Sequence, residues 1–527
     1  MPSNVGSVEA VSPPPSRRTK GAVLAALSLA TPLALVLGTA PARAAPPTVT
    51  ITVDAAHPGR VIPRDFVGLS FEADQLHRTW TDPDRGNVAA LLGNLGTGNL
   101  RFSANQVDNT AWMPDPGAPT PAWATDGQRI VPDDLSRVGR LAARTGWSVD
   151  LGVNLGHFDP AAAANEAAAA TRRLGAGLRA IQIGNEPNVH VLQAPGGTRR
   201  PYDPQGYIRD ARVYRQAIRA AAGAVRFDGP NTAAGAVGIP AIDNQLWPSM
   251  VAPWLTAYVQ AFGKQSRTLN QHYYPFVNIT RLGVPVAAAR AAGALPTVDG
   301  LLSPDTRARQ TKFLSQFTAL AHRAGLRPQL AETNSVAREG REGVTNSFGA
   351  ALWTVDYLMT AARLGVTGVN LHNQVDDCQS YPVFCFGSPA AKRSDTAQVN
   401  PNYYGTLMVH QMVGGAILPV TVDAGGASIT AHAVRMGDGS VKVIVDNLDR
   451  AFRGRIVVNV AGGSAGDAEV ARLTAPSPDA LSGTRYAAAT VTAAGGFTPR
   501  ATERANRRSG RYRLPLTTPS ALLMTVR

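Results

Sequence analysis

Between about residues 66 and 372, short apolar runs alternate with longer amphipathic segments. This pattern predicts repeated β-α units around a parallel sheet. The apolar runs fall at 66–71, 99–102, 148–153, 180–183, 232–237, 268–273, 328–331 and 368–371. Segments of helical periodicity lie between them, among them 134–144, 204–222, 304–324 and 346–364. Several open at Asp, Pro or Asn, and Gly146, Gly325 and Gly365 stand where a helix would stop. Eight strands, each followed by a helical segment, predict an α/β fold of the (β/α)8 TIM-barrel type over 66–412. Any site should then gather at the C-terminal ends of the strands.

Beyond residue 413 the period shortens. Alternating runs at 417–422, 428–434, 441–445, 455–460, 469–473 and 521–526 are separated by Gly, Ser, Asp and Pro. They predict a C-terminal antiparallel β-sandwich over 413–527. Residues 48–53 alternate in the same way, so the segment 45–65 is expected to carry an N-terminal strand that joins the sandwich. Apart from an Ala-rich helical stretch at 161–170 there is no biased tract, and there is no internal repeat.

Composition adds three points. The first concerns export. Residues 1–44 combine Arg17, Arg18 and Lys20 with an apolar run at 22–37 and end in Ala42-Arg43-Ala44. This reads as a signal peptide cleaved near Ala44, so the mature chain is expected outside the cell. Pro32 interrupts the run, which is short for a membrane span, and no later stretch is long enough to provide a stable one. The second concerns cysteine. Cys378 and Cys385 lie close together in a Pro-, Gly- and Ser-rich stretch, which favours one disulfide clipping a loop over two free thiols. A metal site would need more ligands, and none is expected. The third is charge. The net +14 falls to about +11 once residues 1–44 are set aside, and the basic residues are isolated arginines with no Lys/Arg-rich run. No nucleic-acid motif accompanies them, so a nucleic-acid partner is not expected.

Two strands end in glutamate: Glu186 follows the fourth apolar run and Glu332 the seventh. A strand-end carboxylate can serve as an ion-pair partner or a helix cap. Two that face one barrel mouth suit cleavage of a glycosidic bond, in which one carboxyl protonates the leaving oxygen and the other attacks the anomeric carbon or activates water. That chemistry requires no cofactor.

These residues also carry a family likeness. Gly-Asn-Glu-Pro-Asn at 184–188, Glu-Thr-Asn-Ser at 332–335 and Ser-Phe-Gly-Ala-Ala-Leu-Trp at 347–353, followed by Asp356-Tyr357, resemble glycoside hydrolase family 79, the family of heparanase and microbial β-glucuronidases. So do Leu100-Arg101-Phe102 with Asn105 and Asp108, Gln271-His272-Tyr273-Tyr274, and Asn402-Tyr403-Tyr404-Gly405. The resemblance implies a retaining β-glycosidase with Glu186 as acid/base and Glu332 as nucleophile. It also implies sugar contacts from Glu72, Asn105, Asn185 and Tyr273, with His272 either touching the sugar or supporting those that do.

The sequence departs from the family at two places. Family members that bind a uronic acid often carry a Tyr five residues after the nucleophile and then a Gly pair, where this chain has Ala337, Arg338 and Glu339. Ser103-Ala104 replaces the usual Gly-Gly after the second strand. Arg338, or Tyr381 between the two cysteines, is the candidate to receive a uronate carboxylate in this chain. The expected activity is therefore a β-glucuronidase acting on uronic-acid-containing glycans. The alternatives are the same chemistry on a neutral xyloside or glucoside, or a carbohydrate-binding protein on a hydrolase fold.

Overall fold

The computed structural model describes residues 47–189, 202–236, 239–463, 466–500, 502–516 and 519–527. The export signal expected at 1–44 lies outside the described residues.

Eight strand positions form the barrel: β2 (Val67–Glu72), β3 (Asn99–Ser103), β4 (Ser148–Val153), β5 (Leu178–Ile183), β6 in two pieces (Phe227–Asp228 and Pro230–Thr232), β7 (Thr268–Tyr273), β8 (Arg327–Thr333) and β9 (Gly368–His372). All neighbours are parallel. The first piece of β6 pairs with β5 and the second with β7, while β9 pairs back to β2, so the ring comes round on itself. These strands are buried on both faces, which is why they read as nearly continuous apolar runs.

The fifth strand lies earlier than the apolar run at 232–237 suggests. Of the described residues of that run only Thr232 is in a strand, and Gly235 makes a single parallel bridge to Tyr274. Asp228 and Asn231 are polar yet buried, and Gly229-Pro230 separates them, so the true strand has the composition of a turn. Burial of polar side chains inside a barrel is a tertiary effect that periodicity does not register.

The principal helices around the ring are α1 (Val88–Asn94), α2 (Pro132–Thr145), α3 (Pro160–Leu174), α4 (Pro204–Ala222), α5 (Ala252–Phe262), α6 (Pro304–Arg323), α7 (Phe348–Leu364) and α8 (Pro401–His410). Their ends follow local chemistry. Asp203 caps α4 by accepting from Gly206 N–H, and Ser303 caps α6 by accepting from Thr306 N–H. Gly365 ends α7 with φ at 97°, a conformation that L side chains rarely adopt.

Two short strand pairs stand apart, Ala111–Trp112 with Arg129–Ile130 and Phe384–Cys385 with Gln398–Val399, and the other described strands outside the barrel form two sheets. One is four-stranded, in the order β11 (Val420–Asp423), β1 (Thr48–Asp54), β14 (Gly454–Ala461), β16 (Arg511–Leu516). The other contains β10 (Ala416–Leu418), β12 (Ile429–Arg435), β13 (Val441–Asn447), β17 (Ser520–Val526) and β15 (Ala468–Thr474) in that order, with short strands at its far end. The two sheets pack through Val49, Ile51, Val53, Ile456, Val443 and Met524, alternate residues that point inward. One pairing breaks the antiparallel expectation: β1 runs parallel to β14, from Thr48 opposite Arg455 to Asp54 opposite Ala461. A strand from the far end of the chain is not joined to its neighbour by a hairpin, so nothing forces it to run antiparallel.

The outer face of the larger sheet is covered in turn. Ile444, Leu473 and Leu523 belong to the same apolar cluster as the barrel helices α7 and α8. Asp356 of α7 meets His432 of β12 at 3.1 Å within this contact. Among the described residues no helix is long and apolar enough to cross a membrane.

Candidate active site

The C-terminal ends of the barrel strands open into a cavity of about 730 Å³ whose lining includes both Glu186 and Glu332. The turn after β5 brings Glu186 there through two left-handed residues, Gly184 with φ at 68° and Glu186 itself with φ at 43°. A non-glycine residue in this region is strained, and such strain gathers where a side chain must be aimed. The turn is held by Glu186 N–H, which donates to the Asn231 carbonyl at 2.9 Å. On the opposite wall the β7–β8 ladder shifts register between Gln271 and His272, which sets His272 opposite Glu332.

The result is a tight triad. His272 Nδ1 lies 3.0 Å from Glu186 Oε1 and 3.9 Å from Glu332 Oε2. One oxygen of each carboxylate and this nitrogen all lie within 4.8 Å of one another.

Both oxygens of Glu332 are engaged. Arg101, fully buried on β3, donates from Nη1 to Oε2 at 2.8 Å, and the Tyr274 hydroxyl donates to Oε1 at 2.9 Å. The same guanidinium donates to Ser70 Oγ, Gln182 Oε1 and Asn185 Oδ1. Burial pushes the Glu332 carboxyl up, but its interactions with His272, His372 and Arg101 outweigh burial and hold the group below its ordinary value. Arg101 is the permanent charge in that set. Burial drives His272 down to about 3, against the pull of Glu332, so at neutral pH it is an uncharged imidazole. A neutral ring facing a carboxylate through Nδ1 carries its proton on that nitrogen and donates it to Glu186. His372 behaves differently: burial lowers it, but Glu332 and Glu72 raise it by more.

Glu186, His272 and Glu332 also form a group that could offer ligand atoms to a metal ion. Arg101 already supplies a fixed cation to Glu332, so the donor set fits a hydrogen-bonded carboxylate pair better than a metal centre.

The other residues singled out in the sequence divide by position. Glu72, Asn105, Arg338 and Tyr381 line the cavity. Glu72 ends β2 and accepts from Gln106 N–H at 2.7 Å. Asn185 is buried at the cavity's edge and donates to Asn105 Oδ1 at 3.3 Å, so Arg101, Asn185 and Asn105 form one chain of contacts. His272 is wholly buried beneath the two glutamates. Tyr381 sits with its ring centre 5.4 Å from His372 and 6.5 Å from Tyr274. Its loop is tied by the Cys378–Cys385 disulfide, with Cα atoms 5.3 Å apart, and by Asn334, which donates to the Tyr381 carbonyl.

Tyr273 does not reach the cavity. Its ring stacks on Phe313 of α6 at 4.3 Å, outside the barrel wall, and Tyr274 takes the inward position. Alternation along a strand explains this, because with His272 pointing inward the next inward residue is two positions on. Three residues not singled out beforehand complete the site: Arg101, Tyr274 and His372. The signal for Arg101 was available, as a charged residue inside an apolar strand run must be paired.

No family model matches the sequence. It is 31% identical over 121 residues to a β-glucuronidase of Aspergillus niger, covering 23% of this chain and 21% of that protein. It is 36% identical over 78 residues to a β-glucuronidase of Neurospora crassa, covering 15% of this chain and 13% of that one. The matches thus span about a fifth or less of these curated relatives. Among solved structures, a 4-O-α-L-rhamnosyl-β-D-glucuronidase from Fusarium oxysporum 12S in complex with Rha-GlcA superimposes with a TM-score of 0.69 at 20% identity, covering 90% of this chain and 100% of that one. A family 51 arabinofuranosidase from Xanthomonas axonopodis pv. citri gives 0.62 at 16% identity, over 91% and 100% of the two chains. At these identities the likeness is one of fold: the chain has the (β/α)8 barrel with added β-sheets that these glycoside hydrolases share.

Proposed function

We propose that this protein is a secreted retaining β-glycosidase that hydrolyses β-glucuronides by double displacement, of the kind found in glycoside hydrolase family 79. The observation that carries the reading is the approach of Glu186 and Glu332 to within 4.8 Å across one cleft. Retaining enzymes hold their two carboxyl groups about 5 to 5.5 Å apart, whereas inverting ones need about 6.5 to 9.5 Å to admit a water between carboxylate and sugar.

The surroundings suggest the division of labour. Glu332, held ionised by Arg101 and bonded to Tyr274, is suited to attack the anomeric carbon. Glu186 is hydrogen-bonded to a neutral His272, and in this reading it gives a proton to the leaving oxygen and takes one from water in the second step. In this reading Asn105, Asn185 and Glu72 bind sugar hydroxyls.

A glucuronide as substrate is supported by the partial likeness to two fungal β-glucuronidases and by the shared fold of the Fusarium rhamnosyl-glucuronidase. It is also supported by Arg338 on the cavity wall and by the Tyr381 hydroxyl, either of which can pair with a uronate carboxylate. Ala337, in the place of the family's usual Tyr, favours the second reading, a neutral glycone.

Rates on p-nitrophenyl β-glucuronide, β-glucoside and β-xyloside decide between them. Turnover of the glucuronide at least tenfold above the others supports the proposal. Inactivity across the whole panel would favour a carbohydrate-binding protein on a retired hydrolase fold. Azide tests the roles: Glu332→Ala should form an α-glycosyl azide, and Glu186→Ala a β-glycosyl azide on activated substrates.

A further inference from the structure

We infer that the leaving-group half of this cleft is built for an apolar alkyl or aryl aglycone and not for a second sugar. The inference rests on the glycosidase reading above. The cavity is two-sided. Its polar lining comes from the ends of β2 and β9, with Glu72 and His372, and from the segment after β3, with Asn105 and Gln106. Its apolar lining comes from the loops after β6 and β7, with Ile242, Leu246, Met250, Val277 and Leu282. Three of these are large side chains left in solvent: Ile242 is 50%, Met250 37% and Leu282 56% exposed. Few large apolar side chains are so exposed among the described residues, and three of them share one wall.

The wall lies on the acid/base side. Asn188, two residues after Glu186, donates to the Ala233 carbonyl at 2.9 Å and to the Met250 carbonyl at 3.3 Å, and accepts from Ala233 N–H at 2.8 Å. The turn that aims Glu186 therefore also fixes the loop that presents Met250. Glu186 must sit beside the departing oxygen, so the group attached to that oxygen lies against this wall. A glycosyl leaving group would bring hydroxyls against these aliphatic side chains, at a cost for every one desolvated without a partner, and Arg281, beside Leu282 in the lining, is already engaged by Glu339 at 3.3 Å. A hydrocarbon would cover the exposed aliphatic groups and gain from doing so.

The test is a series of methyl, butyl and octyl β-D-glucuronides, run beside the matching β-D-glucosides so that the identity of the glycone does not hide the effect. Intrinsic leaving ability is nearly constant across each series. A fully buried methylene is worth about fourfold in binding, and a half-covered one about twofold. kcat/KM should therefore rise about tenfold or more from methyl to octyl, and Ile242→Asn combined with Leu282→Ser should bring that ratio toward one. A flat series in the wild type, or a disaccharide preferred over the octyl glycoside, overturns the inference. Should no glycoside be turned over, the glycosidase reading fails by itself. Calorimetric binding of methyl and octyl 1-thio-β-D-glucuronide and 1-thio-β-D-glucoside then decides the groove: tighter octyl binding by about tenfold supports it, and equal affinities reject it.

Discussion

Arg101 and Tyr274 carry the chemistry of Glu332, and each makes a separable prediction. Replacing Arg101 with Gln removes the permanent cation 2.8 Å from Glu332 and leaves a buried carboxylate, together with Asn185 and Gln182, short of a donor. Breaking one side of a buried ion pair costs about 3 to 5 kcal/mol, a loss that denaturant unfolding would register. The direction for activity follows from the sign of the shift. Glu332 is held below its ordinary value, so it stays ionised into acid, and the acid limb of kcat/KM should lie below the ordinary glutamate range. Its folded-state pKa is depressed, so its contribution to stability is present above the unfolded value and is lost as pH falls through the folded one. Arg101→Gln should move the acid limb upward, and an unmoved limb would show that the arginine does not set the charge state.

Tyr274→Phe removes one donor to Glu332 with almost no change in volume. It should lower kcat by about tenfold to a hundredfold, in the range of a lost charge-assisted hydrogen bond of about 1.5 to 3 kcal/mol, with little change in melting temperature. Tyr273→Phe should leave kcat within about twofold, because that ring packs on Phe313 behind the wall. Equal losses in the two variants would contradict the geometry. The pair also shows what was legible at this scale. The two glutamates stood out as charges at strand ends. Tyr273 was carried over from a family motif, whereas strict alternation from His272 points to Tyr274. Arg101 and His372 sat at or beside apolar runs, and their partners belong to other strands, which no single segment of sequence reveals.

At the scale of elements, seven of the eight barrel strands coincide with apolar runs because a parallel strand buried on both faces has little room for polar residues. β6 is the exception, since its buried Asp228 and Asn231 hide it. The loops were less legible than the strands, as their shape is set by contacts across the barrel mouth. The Cys378–Cys385 loop is the clearest test. Closing so short a loop is worth about 2 kcal/mol on the chain-entropy account. Replacing both cysteines with Ser should cost about that much stability. It should also raise KM severalfold with kcat less affected, because the loop carrying Tyr381 would lose its covalent tie and be held by hydrogen bonds such as those of Asn334 to the Tyr381 carbonyl and of Thr345 to the Ser380 carbonyl. Steady-state kinetics on the preferred glycoside checks this, and an unchanged KM would remove Tyr381 from the binding side of the site.

At the scale of the whole molecule, the N-terminal strand is the feature with the most reach. β1 lies between β11 and β14, and its residues Val49, Ile51 and Val53 are at most 1% exposed. The alternation at 48–53 announced such a strand, but its parallel direction depends on which neighbour receives it. Removing it would open the four-stranded sheet on both sides of the gap. Burying three such side chains is worth about 5 kcal/mol by area. The larger sheet shares its outer face with α7 and α8, which follow β8 and precede the sandwich, so the loss should travel into the barrel. A chain beginning at Ala55 should therefore melt at least about 5 °C lower in a single transition, with activity lost over the same range. Two separate transitions, with activity following the upper one, would mean that the barrel holds its site without the sandwich.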